Sequence, residues 1–264
     1  MIILEASMLI TRKFVFVHIP KTAGKAIIDF LMAIPHDDFT PFECWKIKHL
    51  HLRERYTDVR HKQIFCTIRN PWDWHVSSYH HNFLNGDAVR KILKAQGYNI
   101  DLNKAPNPAE LQSKFMNKKV FSEYIRYYYS EKNPLFDPSL SSKRFDIPNV
   151  GQLTYRYFNM CSKQRLPESI TINEIYKRHN DLIGVDKVIK MEFLPNDLFR
   201  FLRIPQTYRF KEVGGGHRLS NNRDHYSQYY DDKARKIIAE KEAFIINKFN
   251  YKWETGQTVK ATDF

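Results

Sequence analysis

Lys21 and Lys25, set in the turn Pro20-Lys21-Thr22-Ala23-Gly24-Lys25-Ala26, are the residues of this chain best suited to chemistry on an anion. An apolar run from Phe14 to Ile19 leads into the turn, and Ala26-Ile27-Ile28-Asp29-Phe30-Leu31 follows it with apolar residues at helical spacing. The spacing predicts a strand buried on both faces that runs through a short basic turn into a helix. Gly24 permits close backbone approach there, so successive N–H groups and the positive helix end can hold a phosphate.

What the turn lacks narrows the chemistry. A nucleoside-triphosphate loop of the form Gly-x-x-x-x-Gly-Lys-Ser/Thr uses its final hydroxyl to hold Mg²⁺. Here Ile19 stands where the first Gly belongs and Ala26 where the hydroxyl belongs, which argues against a magnesium-dependent NTPase.

A second cationic group follows another strand-like run, Ile64-Phe65-Cys66-Thr67-Ile68, which ends in Arg69-Asn70-Pro71. A guanidinium at a strand end forms bidentate bonds to a terminal phosphate. Pro71 suits the first turn of a helix, and Ser77, about two turns further on, can donate another bond. His49-Leu50-His51 precedes that strand. In an extended segment both rings share one face, and a neutral imidazole is a competent general base near pH ~7. With eleven histidines in a basic chain, a plain surface role for these two stays open.

Together these segments resemble the sulfotransferases that use 3′-phosphoadenosine 5′-phosphosulfate. His18-Ile19-Pro20-Lys21-Thr22-Ala23-Gly24 is similar to that family's cofactor loop, and Arg69, Asn70, Pro71, Ser77 and Tyr79 fit its second motif. The histidine pair resembles the motif that precedes the same strand in heparan sulfate uronyl 2-O-sulfotransferase and its bacterial relatives. The resemblance implies an α/β fold of the P-loop type, a parallel sheet flanked by helices. It also implies metal-free, in-line transfer of a sulfuryl group to an acceptor hydroxyl on a carbohydrate or glycolipid, leaving adenosine 3′,5′-bisphosphate. Lys21 would support the transition state, and His49 or His51 would act as base. Lys21, Thr22, Ala23, Gly24, Lys25, Ala26, Arg69 and Ser77 would contact the cofactor. Two positions depart from the family pattern: Lys25, where Thr or Ser is usual, and Trp74, where Arg is frequent. Two other readings stay open: a P-loop kinase-like phosphotransferase, which needs Mg²⁺ and a triphosphate, and a non-catalytic nucleotide-binding protein.

Softer signals place the remaining elements. Asp186 to Leu194 resembles a family strand with a Glu-containing turn, followed by a helix through Asp197 to Leu202. Asn107-Pro108-Ala109-Glu110 is a helix start with an N-cap, Pro at N1 and Glu at N3. Asp231 or Asp232 can cap a final helix carrying Ala234, Ile237, Ile238, Lys241, Ile245 and Phe249 at turn spacing, the lysine interrupting an otherwise apolar stripe. The tyrosines before that helix read as its packing, and those from Tyr124 to Tyr129 read either as internal packing or as a surface that stacks on sugar rings. Gly214-Gly215-Gly216-His217-Arg218 reads either as a loop that closes over cofactor phosphates through Arg218 or as a plain surface loop.

The chain of 264 residues, 42% hydrophobic, is long enough for one domain over 1–264, with 86–149 as an insertion or acceptor-binding region. Residues 2–4 and 8–10 are apolar but interrupted by Glu5, too short for a membrane span or a secretion signal, so a cytoplasmic protein is expected. Cys44, Cys66 and Cys161 show no Cys-x-x-Cys spacing, which suits reduced thiols and no metal site. The balance of 42 Lys and Arg against 29 Asp and Glu, net +13, attracts polyanions such as the cofactor or an acidic glycan. Because the basic residues are spread along the chain with no nucleic-acid-binding signature, nucleic acid is not the expected partner.

Overall fold

The computed structural model describes residues 8–34, 41–45, 51–85, 88–105, 107–130, 150–167, 170–205, 207–208, 210 and 224–255. In chain order the main elements begin with β1 (Met8–Thr11), β2 (Phe14–Val17), α1 (Gly24–Ala33), β3 (Pro41–Trp45) and β4 (Gln63–Ile68). Helices α2 (Pro71–Asn85), α3 (Ala88–Ala95), α4 (Lys118–Tyr128), α5 (Gln152–Cys161) and α6 (Ile172–Leu182) come next. Strand β5 (Lys187–Lys190) and helices α7 (Asn196–Leu202), α8 (Asp232–Lys241) and α9 (Ala243–Lys248) complete the order. The chain divides into two compact units: Met1–Asn70 with Thr154–Asn222 and the terminal Phe264, and Pro71–Leu153 with Arg223–Asp263.

The first unit is α/β. Its five-stranded sheet has the order β3-β1-β2-β4-β5, with β2, β4 and β5 mutually parallel and β1 antiparallel to both β2 and β3. The sheet is therefore mixed, where a parallel one was expected. The reason is local: only Arg12 and Lys13 separate β1 from β2, and so short a link can only turn the chain back on itself. Between β2 and β4 the connection is long enough to carry α1, so those strands run parallel.

Phe14, Val15, Phe16 and Val17 are all buried, as expected of a strand covered on both faces. On one face Phe14, Phe16 and Phe65 pack with Ile27, Phe30 and Leu31 of α1 and Leu198 and Phe199 of α7. Phe30 stacks on Phe199 with ring centres 5.3 Å apart. Cys66, which alternates with Phe65 along β4, points to the other face. There it meets Cys161 of α5, and burial, with the Cys66 sulfur beside it, pushes the Cys161 thiol up from its ordinary pKa.

The second unit is helical. Trp72, Val76, Tyr79 and Phe83 form the inward stripe of α2 and share one core with Phe121, Tyr124 and Ile125 of α4 and with Tyr226, Tyr229 and Tyr230. Tyr79 meets Tyr124 at 4.8 Å and Phe121 meets Tyr230 at 4.9 Å between ring centres, so the tyrosines are packing residues. Asn107 Oδ1 accepts the Ala109 N–H at 2.9 Å, and Asp231 Oδ1 accepts that of Ala234 at 2.8 Å, fixing the two caps. Among the described residues no helix is long and apolar enough to cross a membrane.

Candidate functional site

The candidate cations sit where the parallel strands end. Val17 of β2 pairs with Cys66 of β4, and Cys66 with Val188 of β5, so the three carboxyl ends lie side by side. In open α/β sheets this edge is where ligands bind. Three connections leave it: 18–23 into α1, Arg69-Asn70 after β4, and the turn Met191–Phe193 after β5.

The loop from β2 to α1 is held in an unfavourable backbone shape. Lys21 and Ala23 have φ values of 68° and 66°, a left-handed conformation that costs a residue with a side chain about 1–2 kcal/mol. Thr22 between them is fully buried and supplies the restraint. Its Oγ1 donates to the Ile19 carbonyl at 2.6 Å and lies 2.9 Å from Thr67 Oγ1, and Thr67 Oγ1 donates to the Thr22 carbonyl at 2.8 Å. The Thr22 hydroxyl is thereby committed to the protein interior, and ligand contact at this position falls to the backbone N–H.

Helix α1 begins without a side-chain cap: Ala23 is its N-cap residue and makes no capping hydrogen bond. Gly24, its first residue, is tightly packed. A Cβ there would fall 1.7 Å from His18 Cδ2 and 2.2 Å from His18 Nε2. The close approach expected at Gly24 is thus made by the imidazole of His18, which is buried and stacks on Phe16 with ring centres 6.1 Å apart.

Arg69 reaches toward the same loop. Its Nη1 donates to the Lys21 carbonyl at 3.4 Å, and the next residue, Asn70, donates its backbone N–H to Glu192 Oε1 at 2.5 Å. The loops that follow β2, β4 and β5 are therefore tied to one another. Lys21, Thr22 and Arg69 are brought together, while Ser77 lies buried within α2 of the second unit.

His51 is anchored elsewhere in the first unit. Its Nδ1 donates to the Asn159 carbonyl of α5 at 2.9 Å, and Arg53 Nη1 donates to the same carbonyl at 3.1 Å. Because a carbonyl only accepts, a neutral ring carries its hydrogen on Nδ1 and its lone pair on Nε2. His49 and Arg218 lie outside the described residues. Among the described residues no cluster of three or more His, Cys, Asp or Glu could hold a metal ion.

Sequence reasoning missed three supporting residues. Thr67 is a hydroxyl inside an otherwise apolar strand, and His18 is a polar ring at the end of another; each was a readable signal. Glu192 was legible only as part of a turn. No family model, curated protein or solved structure matches this chain.

Proposed function

We propose that this chain is a sulfotransferase that moves the sulfuryl group of 3′-phosphoadenosine 5′-phosphosulfate to an acceptor hydroxyl on a carbohydrate or glycolipid. The observation that carries the reading is the approach of Arg69 to the Lys21 carbonyl, which joins the two motifs of the resemblance at one edge of the parallel strands. The start of α1 supports it, since its N-cap residue, Ala23, offers no side-chain oxygen to the first N–H groups. Ala26, at the position of a metal-binding hydroxyl, favours a metal-free donor over a nucleoside triphosphate.

Each residue then has a defined task. The Lys21 ammonium neutralises charge that builds on the bridging oxygen of the donor as sulfur leaves it. The loop amides from Thr22 to Ala26, with Lys25 as a flexible point charge, hold the 5′-phosphate. Arg69 offers its planar fork to the terminal phosphate of the nucleotide. His49 or His51 takes the proton of the acceptor hydroxyl, and in His51 the bond from Nδ1–H to the Asn159 carbonyl makes Nε2 the accepting nitrogen. When bound, the donor supplies the activated sulfuryl group.

The test is calorimetric titration of adenosine 3′,5′-bisphosphate in EDTA, alongside ATP with Mg²⁺. Metal-independent binding of the bisphosphate, tighter than that of ATP, is the expected result. The reverse preference would replace this reading with a kinase-like one, and bisphosphate binding without sulfate transfer to any hydroxyl acceptor would leave a nucleotide-binding protein.

A further inference from the structure

The ring of His18 occupies the space above the Cα of Gly24, where a Cβ would come within 1.7 Å of Cδ2, 2.2 Å of Nε2 and 2.4 Å of Cγ. Three ring atoms, not one flexible tip, close that space. The ring itself has little room to yield, because it is only 5% exposed and ends an aromatic column. It stacks on Phe16, and Phe16 stacks on Phe65 with ring centres 4.9 Å apart. This column runs from the middle of the sheet to the first turn of α1.

We infer that His18 is a positioning residue. Its ring, rather than a ligand, is what requires glycine at 24, and by seating the first turn of α1 it fixes the backbone N–H groups that hold phosphate in the proposed reaction. The inference rests on that reaction for its functional half. A helix start must be held by something, and here the usual device is missing, since Ala23 offers no capping oxygen. A capping side chain would also compete for the N–H groups a phosphate needs. Packing against His18 and the Thr22–Thr67 link hold the turn by contacts other than an N-cap side chain.

The experiment is a double-mutant cycle of His18→Ala and Gly24→Ala, read by melting temperature and by calorimetric affinity for adenosine 3′,5′-bisphosphate well below the melting range. Gly24→Ala alone should lower the melting temperature and weaken binding about tenfold or more, the loss of at least one charge-assisted hydrogen bond. In the His18→Ala background the same substitution should cost little in either readout, because the obstructing ring is gone. His18→Ala alone should weaken binding by the folded protein, which a merely structural role would not do. If Gly24→Ala costs as much affinity with the ring absent as with it present, the ligand requires the glycine and the inference is overturned. Unchanged affinity in His18→Ala overturns it too. If the wild-type protein does not bind the bisphosphate, the proposed reaction fails, and the coupling in melting temperature alone upholds or overturns the link between His18 and Gly24. Should His18→Ala not fold, His18→Ser repeats the cycle with a hydroxyl that can turn away.

Discussion

Thr67 Oγ1 donates to the Thr22 carbonyl at 2.8 Å, and the two hydroxyl oxygens lie 2.9 Å apart with both residues fully buried. The link spans from β4 to a loop with left-handed residues on either side of Thr22. Thr67→Val keeps the shape of the side chain and removes its hydroxyl, stranding a buried carbonyl. We expect a loss of about 1–3 kcal/mol in urea unfolding and weaker bisphosphate binding by calorimetry. Thr67→Ser should retain both. Unaltered binding in the valine variant would show that the pair does not govern the loop.

Lys21 and Arg69 should separate chemistry from binding. Lys21 is partly exposed, so Lys21→Ala should leave the melting temperature nearly unchanged while abolishing sulfate transfer. Arg69→Ala should raise the dissociation constant for adenosine 3′,5′-bisphosphate by about tenfold or more. Arg69→Lys should not restore it, because an ammonium lacks the planar fork. Transfer that survives in Lys21→Ala would remove that lysine from the reaction.

The strand-turn-helix around Lys21 was legible because its signals are local: an apolar run, a small basic turn and helical spacing within about twenty residues. Phe14 to Val17 and Gly24 to Ala33 formed where that pattern put them. The antiparallel edge was not read, since Met8 to Thr11 carries no signal of its partner and its direction follows from the two-residue link to β2. The Thr22–Thr67 pair is non-local in the same sense. The residues are 45 apart in sequence, and only the parallel pairing of β2 with β4 brings them together. His18 and Gly24 are near in sequence, yet the contact depends on the ring folding back over the helix start, which no periodicity reports.

A second buried relationship should dominate the stability of the helical unit. His75 Nε2 lies 3.0 Å from Glu242 Oε1, with Glu242 fully buried between α8 and α9. The Tyr129 hydroxyl is 3.2 Å from the same nitrogen, and Leu153 donates its N–H to Glu242 Oε1 at 2.9 Å. Two segments thus reach one carboxyl oxygen, and a third reaches the imidazole that meets it. His75→Ala removes the imidazole partner from that buried carboxyl oxygen and should cost about 1–3 kcal/mol in urea unfolding. A loss under about 1 kcal/mol, the scale of an exposed pair, would contradict this account.

Asp231 should set part of the acid sensitivity of the same unit. Burial alone would raise its carboxyl, but the Ala234 N–H and the Arg126 guanidinium outweigh burial and hold it below the usual aspartate value of 3.8. A carboxyl depressed in the folded state contributes stability that is complete above its unfolded value and is lost as pH falls through the folded one. Stability should therefore decline below about pH 4 through this group, with the N-cap of α8 and its bond to Arg126 weakening together. Asp231→Asn keeps a capping oxygen but cannot ionise, so its urea midpoint should fall less steeply between about pH 4 and pH 2 than that of the wild type. Asp231→Ala should in addition lose about 1 kcal/mol at neutral pH, where the cap is otherwise intact. Parallel acid limbs for the wild type and Asp231→Asn would mean that the carboxyl titrates alike in the folded and unfolded chains.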